Sequence, residues 1–182
     1  CHFCNNALSS RPKTFLSLEK AEEVMVDAYR AGAREVGFYL AGEPLLHEQL
    51  PEMVAVARRV GYEYIFISTN GVLATKEKVS TLAANGLNSL KFSINAGDRN
   101  SYEAVHGRDC LSIVKANLMD AVAVRIAEKS CGGAFYRIMV SCIYQSKPSA
   151  SMLSLKEEVA PHIDDFYLTK SFPPARIQAG QN

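Results

Sequence analysis

The chain alternates short apolar runs with amphipathic segments, and this alternation constrains its fold more than any other feature. The apolar runs are predicted as strands over 35–40, 64–69, 89–94, 135–144 and 165–169. Segments with apolar residues at helical spacing are predicted as helices over about 18–31, 48–59, 75–85, 98–106 and 112–129. Each such segment is long enough for the next strand to return parallel to the previous one.

The pattern therefore predicts the α/β class with a parallel sheet. The nearly continuous apolar runs indicate strands covered on both faces. An open doubly wound sheet and all or part of a βα-barrel both fit this alternation. Near the end of the chain, a Ser-rich connection over 146–154 and a short helix are predicted before the last strand.

Composition excludes several classes of protein. With 182 residues, 48% of them hydrophobic, the chain fits one globular domain and not a disordered segment. Its net charge of +1 gives no global field for nucleic acid. No apolar run approaches the ~20 residues of a membrane span. Five cysteines are too few for a disulfide scaffold.

Small polar residues follow the predicted strands, where parallel α/β folds gather their functional groups. Ala41-Gly42-Glu43-Pro44 follows the first strand, and Asn70 follows the second. Ser93 and Asn95 lie at the end of the third strand, and Ser141 lies in the fourth. These residues would meet at one edge of the sheet, which we call the rim. Such a rim could hold a polar ligand. The alternative is that Gly, Asn and Ser simply build the turns.

The first four residues, Cys1-His2-Phe3-Cys4, form the sharpest local feature. A C-x-x-C pair lets two thiolates reach one metal, one cluster or each other. Half of a zinc site, a redox dithiol and part of an iron–sulfur site all fit this spacing. Cys110, Cys131 and Cys142 are scattered, and Cys142 is predicted to lie in the core.

Taken in order, these motifs resemble the radical S-adenosylmethionine (radical SAM) superfamily. Its signature is C-x-x-x-C-x-aromatic-C, and residues 1–4 are similar to the last four positions. Residues 41–44 are similar to its Gly-Gly-Glu-Pro motif, with Ala41 in place of the first glycine, and residues 69–71 to its frequent Thr-Asn-Gly. Residues 93–96 resemble the fourth-strand region of the SPASM and molybdopterin-biosynthesis subgroup.

The resemblance implies a 4Fe–4S cluster and S-adenosylmethionine (SAM) as cofactors. It assigns Cys1 and Cys4 to the cluster. The residues implied to bind SAM are Ala41, Gly42, Glu43 and Pro44 for the amino group, Phe3 beside the adenine, Ser93 and Asn95 for the ribose, and Asn70 and Ser141 as further candidates. The implied reaction is reductive cleavage of SAM to a 5′-deoxyadenosyl radical, which abstracts hydrogen from an unknown substrate.

The implied fold is a partial (β/α)6 TIM-like barrel with parallel strands. Its first strand, and a first cluster cysteine four positions before Cys1, are expected to be missing from this chain. We therefore expect residues 1–182 to be a single, N-terminally truncated radical SAM core domain. We also expect the chain alone to be inactive, because two thiolates hold a cluster poorly.

The expected partners are a small-molecule or peptide substrate and a reductant such as flavodoxin or ferredoxin, with neither nucleic acid nor membrane. Free thiols and an oxygen-sensitive cluster predict a reducing cytoplasm. The alternative function is a non-catalytic α/β domain that binds a nucleotide or a partner. In that case Cys1-His2-Phe3-Cys4 would be a zinc-binding or incidental pair.

Overall fold

A computed structural model describes residues 12, 14–40, 42–131 and 137–171, in which helices and strands alternate as predicted. The helices are α1 Leu18–Arg30, α2 Leu50–Val60, α3 Lys76–Ala84, α4 Arg99–His106, α5 Leu111–Ser130 and α6 Ala150–Val159. The strands are β1 Glu35–Phe38, β2 Tyr64–Thr69, β3 Ser89–Ser93, β4 Arg137–Tyr144 and β5 Asp165–Lys170. Short 3-10 turns cover Pro44–Leu46 and Ala160–His162.

Side-chain caps decide where several helices begin. Ser17 and Thr75 accept backbone N–H groups at the starts of α1 and α3. Ser149 does the same for α6, accepting from the Met152 N–H at 3.2 Å. The predicted connection over 146–154 is therefore wrong in its second half, because a serine that was interpreted as a loop residue is a helix cap.

The order of the strands distinguishes an open doubly wound sheet from a βα-barrel. The five strands are all parallel and lie side by side in chain order, β1-β2-β3-β4-β5. Parallel crossovers are almost always right-handed, so a sheet that never reverses its strand order carries all its helices on one face. A doubly wound sheet has a reversal point, and the described strands have none. This is the arrangement of a partial βα-barrel.

The two faces of the sheet differ in burial. On the face that packs against the helices, seven side chains are 0% exposed: Ile65, Ile67, Leu90, Phe92, Ile138, Val140 and Cys142. The side chains that alternate with them form what we call the open face. In β2 and β3 its members Tyr64, Phe66, Ser68, Lys91 and Ser93 are half-buried. Ser89, Met139 and Ser141 of the same face are buried. The prediction of strands covered on both faces therefore holds for these three residues and fails for the half-buried residues of β2 and β3.

None of the described helices is both long enough and apolar enough to cross a membrane.

The loop after β3 packs tightly against the start of α6. A β-carbon on Gly97 would overlap the backbone carbonyl of Ser151, which cannot move without displacing the helix. Next to it, the Asp98 carboxylate caps α4 by accepting from the Ser101 N–H at 2.9 Å. Gly97 and Asp98 therefore fix the loop between the end of β3, at the candidate rim, and α4.

Replacing Gly97 by alanine is expected to lower the free energy of unfolding by about 2–3 kcal/mol, because the added methyl group meets backbone. Gly107→Ala is the matched control. That glycine has a positive φ but open space around its missing β-carbon, so backbone strain alone should cost about 1 kcal/mol. Urea unfolding measures both variants. Equal losses would contradict the close packing at Gly97.

Asp98 should make stability depend on pH. Hydrogen bonds from the backbone and side chain of Ser101, and from Ser151, lower its pKa from 3.8 to about 2. A depressed folded-state pKa contributes stability that is fully present above pH 3.8 and is lost as pH falls through about 2. The advantage of the wild type over Asp98→Asn in urea unfolding should therefore shrink across this interval. A difference that does not change with pH would contradict the assignment.

Candidate functional site

The predicted rim residues come together at the carboxyl ends of four neighbouring strands. Gly42, Glu43 and Pro44 connect β1 to the first 3-10 turn, and Asn70 directly follows β2. Ser93 ends β3 and lies opposite Ser141 of β4 in the strand register. Because these strands are adjacent and parallel, residues far apart in sequence share one edge of the sheet.

The Glu43 carboxylate links two of the rim loops. One oxygen accepts from the Thr69 hydroxyl at 2.6 Å and from the Leu45 N–H at 3.2 Å. The other accepts from the Asn70 N–H at 2.8 Å. The carboxylate is thus occupied by protein donors. The Glu43 and Pro44 carbonyls accept from the Leu46 and His47 N–H groups, at 3.2 and 2.9 Å, and the exposed backbone of this segment lies before them, at Gly42. Glu43 is a positioning residue in this arrangement.

The backbone around Gly42 has an unusual conformation. Gly42 has a φ of +123°, and a β-carbon there would meet nothing within 4 Å. Leu40, two residues earlier, has a φ of +101°, which is costly for a residue with a side chain. Strained backbone of this kind is typical of functional loops. Gly42 is therefore needed for its conformation, and the space beside it is open. Ala41 lies outside the described residues.

Three polar side chains hold the turn after β2 in place. The Thr69 hydroxyl accepts from the Gly71 N–H at 3.0 Å, and the Asn70 side chain accepts from the Val72 N–H at 2.9 Å. The Asn117 amide of α5 donates to the carbonyls of Gly71 and Val72, at 2.8 and 3.0 Å. The rim turn is therefore anchored to a helix as well as to its own strand.

Asn117 was not among the residues predicted for the site. Its side chain is 9% exposed and lies among the buried α5 residues Val114, Leu118 and Ala121. A single amide on an otherwise apolar helix face needs a buried hydrogen-bond partner, and this was the signal available in the sequence.

Asn95 ties the ends of β3 and β4 together. It is 1% exposed, has a φ of +63°, and accepts from the Ile143 N–H at 2.9 Å. Its amide nitrogen lies 3.3 Å from the Ser93 hydroxyl. The side chain that the sequence assigned to a ribose thus makes structural contacts on the protein side, next to Ser93 and Ser141.

His106 is the last residue of α4 and is partly buried. Its Nε2–H donates to the Ile94 carbonyl at 2.7 Å, and its ring stacks on Tyr102 with centroids 4.2 Å apart. Burial lowers its pKa, and the hydrogen bond to Ile94 partly opposes the shift. The imidazole therefore supports the backbone just before Asn95.

The cysteines divide into two groups. Cys1 and Cys4, with Phe3 between them, lie outside the described residues. Cys142 is 0% exposed and burial raises its pKa to about 11, which confirms the prediction of a core thiol. Among the residues that the structure describes, no group of three or more His, Cys, Asp and Glu side chains is placed to hold a metal ion. A metal centre would depend on residues 1–4.

The rim can therefore bind a polar ligand through hydrogen bonds. It offers the Ser93 and Ser141 hydroxyls and the backbone around Gly42, on loops that Glu43 and Asn117 hold in place. The predicted ligand-binding roles of Gly42, Glu43, Pro44, Asn70, Ser93, Asn95 and Ser141 stay predictions.

Comparison with known proteins gives one family and several relatives. The family model described as "Radical SAM superfamily" matches residues 1–136. A Streptomyces rochei protein, "PqqA peptide cyclase", is 32% identical over 108 residues, which are 59% of this chain and 29% of that protein.

Two solved structures share the fold. Streptococcus suis SuiB bound to S-adenosylmethionine has a TM-score of 0.73 and 17% identity, over 98% of this chain and 38% of that chain. Methylornithine synthase (PylB) has a TM-score of 0.72 and 17% identity, over 95% of this chain and 50% of that chain. The chain thus spans half or less of the length of these proteins.

Replacing Glu43 by glutamine is expected to loosen the rim. The amide keeps one acceptor but places an NH₂ group against protein donors, which should cost about 1–3 kcal/mol of unfolding free energy. Hydrogen–deuterium exchange at the Asn70 N–H should accelerate, because that donor loses its carboxylate partner. Glu48→Gln, at an exposed position in the same segment, is the control. Unchanged exchange at Asn70 would contradict the role of Glu43.

Proposed function

The chain belongs to the radical SAM superfamily, and we propose on this premise that it forms the SAM-binding core of an enzyme that modifies a peptide. The family uses a 4Fe–4S cluster together with SAM. The observation that carries the proposal is the arrangement of rim loops after β1, β2 and β3, which matches the order of the family's motifs along the chain.

The rim has the chemistry that SAM requires. SAM carries an amino group, a carboxylate and ribose hydroxyls, all of which bind to backbone carbonyls, N–H groups and hydroxyls. The open space beside Gly42 admits a ligand close to the backbone, and Ser93 and Ser141 present two hydroxyls on the open face. The C-x-x-C pair at residues 1–4 supplies the thiolates that an iron–sulfur cluster prefers.

Cys1 and Cys4 would hold the cluster, and the backbone of residues 41–44 would receive the SAM amino group. Ser93 and Asn95 would bind the ribose, Phe3 would pack beside the adenine, and Asn70 and Ser141 would complete the polar edge. When bound, the cluster supplies one electron that cleaves SAM to methionine and a 5′-deoxyadenosyl radical, which removes a hydrogen atom from the substrate.

The chain's own residues would prepare this chemistry by fixing the loops. Glu43 links the segment after β1 to the turn after β2, and Asn117 anchors that turn to α5. Fixed donors and acceptors need no reorganisation when the ligand binds. The buried helix side of the sheet gives the rim a rigid support.

A peptide substrate is supported by the relative named for a peptide, which is 32% identical over the matched residues. A soluble reductant of the flavodoxin or ferredoxin type would deliver the electron. Both partners belong to the whole protein, of which this chain is a core. A cytoplasmic location is part of the same proposal, since an oxygen-sensitive cluster needs a reducing compartment.

The test is anaerobic reconstitution of the full-length protein with iron and sulfide, then reduction with dithionite and addition of SAM. We expect iron–sulfur absorption and the formation of 5′-deoxyadenosine and methionine. Cys4→Ser should abolish both, because it removes a cluster thiolate. The matched control is Cys131→Ser, which changes an exposed free thiol and should retain both.

Failure to form 5′-deoxyadenosine by a wild-type protein that has bound iron and sulfide would overturn the proposal. Metal analysis that finds about one zinc per chain with neither iron nor sulfide would favour the alternative, a zinc or incidental pair in a non-catalytic domain.

A further inference from the structure

Lys91 lies in the middle of the open face. It belongs to β3, the central strand, and pairs in register with Ser68 on one side and Met139 on the other. Ser93 follows it on the same face two residues later, which is about 7 Å along the strand. Lys91 therefore lies on the open face directly below the rim that is proposed to bind SAM.

The Lys91 ammonium makes no hydrogen bond or ion pair with any residue in the described part of the chain. Other lysines of the structure differ in this respect: Lys78 donates to the Leu45 carbonyl at 3.0 Å, and Lys115 pairs with Glu158 at 2.7 Å. A half-buried lysine without a counter-charge is unfavourable, because part of its hydration is lost without replacement. Such a group is suited to a ligand of opposite charge.

The acidic residue nearest along the same row of the sheet is already neutralised. Asp165 of β5 lies two strands from Lys91, about 10 Å away at the usual strand spacing, and forms an ion pair with Arg137. The other carboxylate of the open face, Glu35, is exposed and lies at the opposite end of the edge strand β1. The positive charge of Lys91 thus remains uncompensated at the centre of the face.

A second polar group on this face also lacks a partner. Ser89 precedes Lys91 by two residues on the same side of β3, is 0% exposed, and its hydroxyl has no hydrogen-bond partner among the described residues. Unsatisfied buried hydroxyls are rare and point to a missing water or ligand. Two neighbouring polar groups on one face are therefore unpaired.

Aromatic side chains line the face beside Lys91. Phe66 lies between Tyr39 and Tyr64, with ring centroids 5.4 and 5.8 Å away. Rings of this kind present apolar surface, whereas Lys91 presents a charge. The combination suits a ligand that has an apolar or aromatic body and one anionic group.

From this arrangement we propose that Lys91 is a specificity-determining residue that binds a carboxylate of the peptide substrate over the open face. The inference rests on the proposed function for the identity of the substrate as a peptide. The carboxylate could come from an acidic side chain or from the C-terminus of the peptide, and both sources have the same chemistry.

The experiment measures binding of three short probes to the full-length protein by isothermal titration calorimetry, which can be applied in the same way to every variant. The probes are acetyl-Tyr-Glu-Tyr-amide, the corresponding Gln peptide, and the Gln peptide with a free C-terminal carboxylate. We expect the wild type to bind at least one carboxylate probe about tenfold more tightly than the uncharged probe, as charged hydrogen bonds commonly provide. The probe that shows the preference identifies the source of the carboxylate.

Three variants test whether Lys91 causes this preference. Lys91→Met keeps the length of the side chain but removes the charge, and should bind all three probes equally. Lys91→Arg keeps a cation and should retain most of the preference. Lys156→Met changes an exposed lysine of α6 and should behave as wild type. Urea unfolding of each variant shows that the fold is intact.

Several results would overturn the inference: no carboxylate preference in the wild type, a preference that survives in Lys91→Met, or weaker SAM binding in Lys91→Met with peptide binding unchanged. The last result would assign the ammonium to the cofactor. Formation of 5′-deoxyadenosine is measured separately. Its absence from the wild type would count against the proposed function, whereas the probe preference tests Lys91 alone.

Discussion

The covering of the sheet on one side is the constraint on which the rest of the structure depends. Five parallel strands lie in chain order, so right-handed crossovers bring every helix to the same face. That face is fully buried on the three inner strands and supplies much of the core, including Ile67, Leu90 and Val140. The opposite face gains no helices, and polar, charged and aromatic residues can occupy it. Within each strand, the side chains that face the helices stabilise the fold, and the alternate side chains are free to serve a function.

At the rim, side chains and backbone have different tasks. Glu43 is the acidic residue of the motif, yet its carboxylate is satisfied by Thr69, Leu45 and Asn70. Asn95 is likewise bonded to Ile143 in the neighbouring strand. These side chains hold the loops in place, and Gly42, directly before Glu43, is exposed and has a positive φ. The side chains of Glu43 and Asn95, which the motifs suggest as ligand contacts, therefore make hydrogen bonds within the protein.

The open face below the rim is the part of the structure that we propose to contact the substrate. Its charges are arranged unequally: Arg137 neutralises Asp165, whereas Lys91 at the centre has no counter-ion in the described part of the chain. Uncompensated charge in a partly desolvated position binds an opposite charge more strongly than it would in water. The rim proposed to bind SAM and Lys91 are also adjacent on β3, so one strand would connect the proposed cofactor binding to the proposed substrate recognition.

The sequence by itself determined the elements and their order. Apolar periodicity placed β2 at Tyr64–Thr69 to the residue, and the caps Ser17 and Thr75 marked helix starts, because these signals act within a few residues. The ordered motifs also indicated the family and the position of the rim. The start of α6 was missed, since Ser149 resembles a loop residue until its bond to Met152 is seen.

Only the tertiary structure decided which contacts those residues make. The bonds from Glu43 to Thr69 and from Asn95 to Ile143 join residues 26 and 48 positions apart, beyond the reach of any local pattern. It also decided which face of the sheet the helices cover, and thus that Lys91 lies on the open face without a partner among the described residues. The physical reason is that periodicity shows which residues share a face, whereas strand order determines what that face meets.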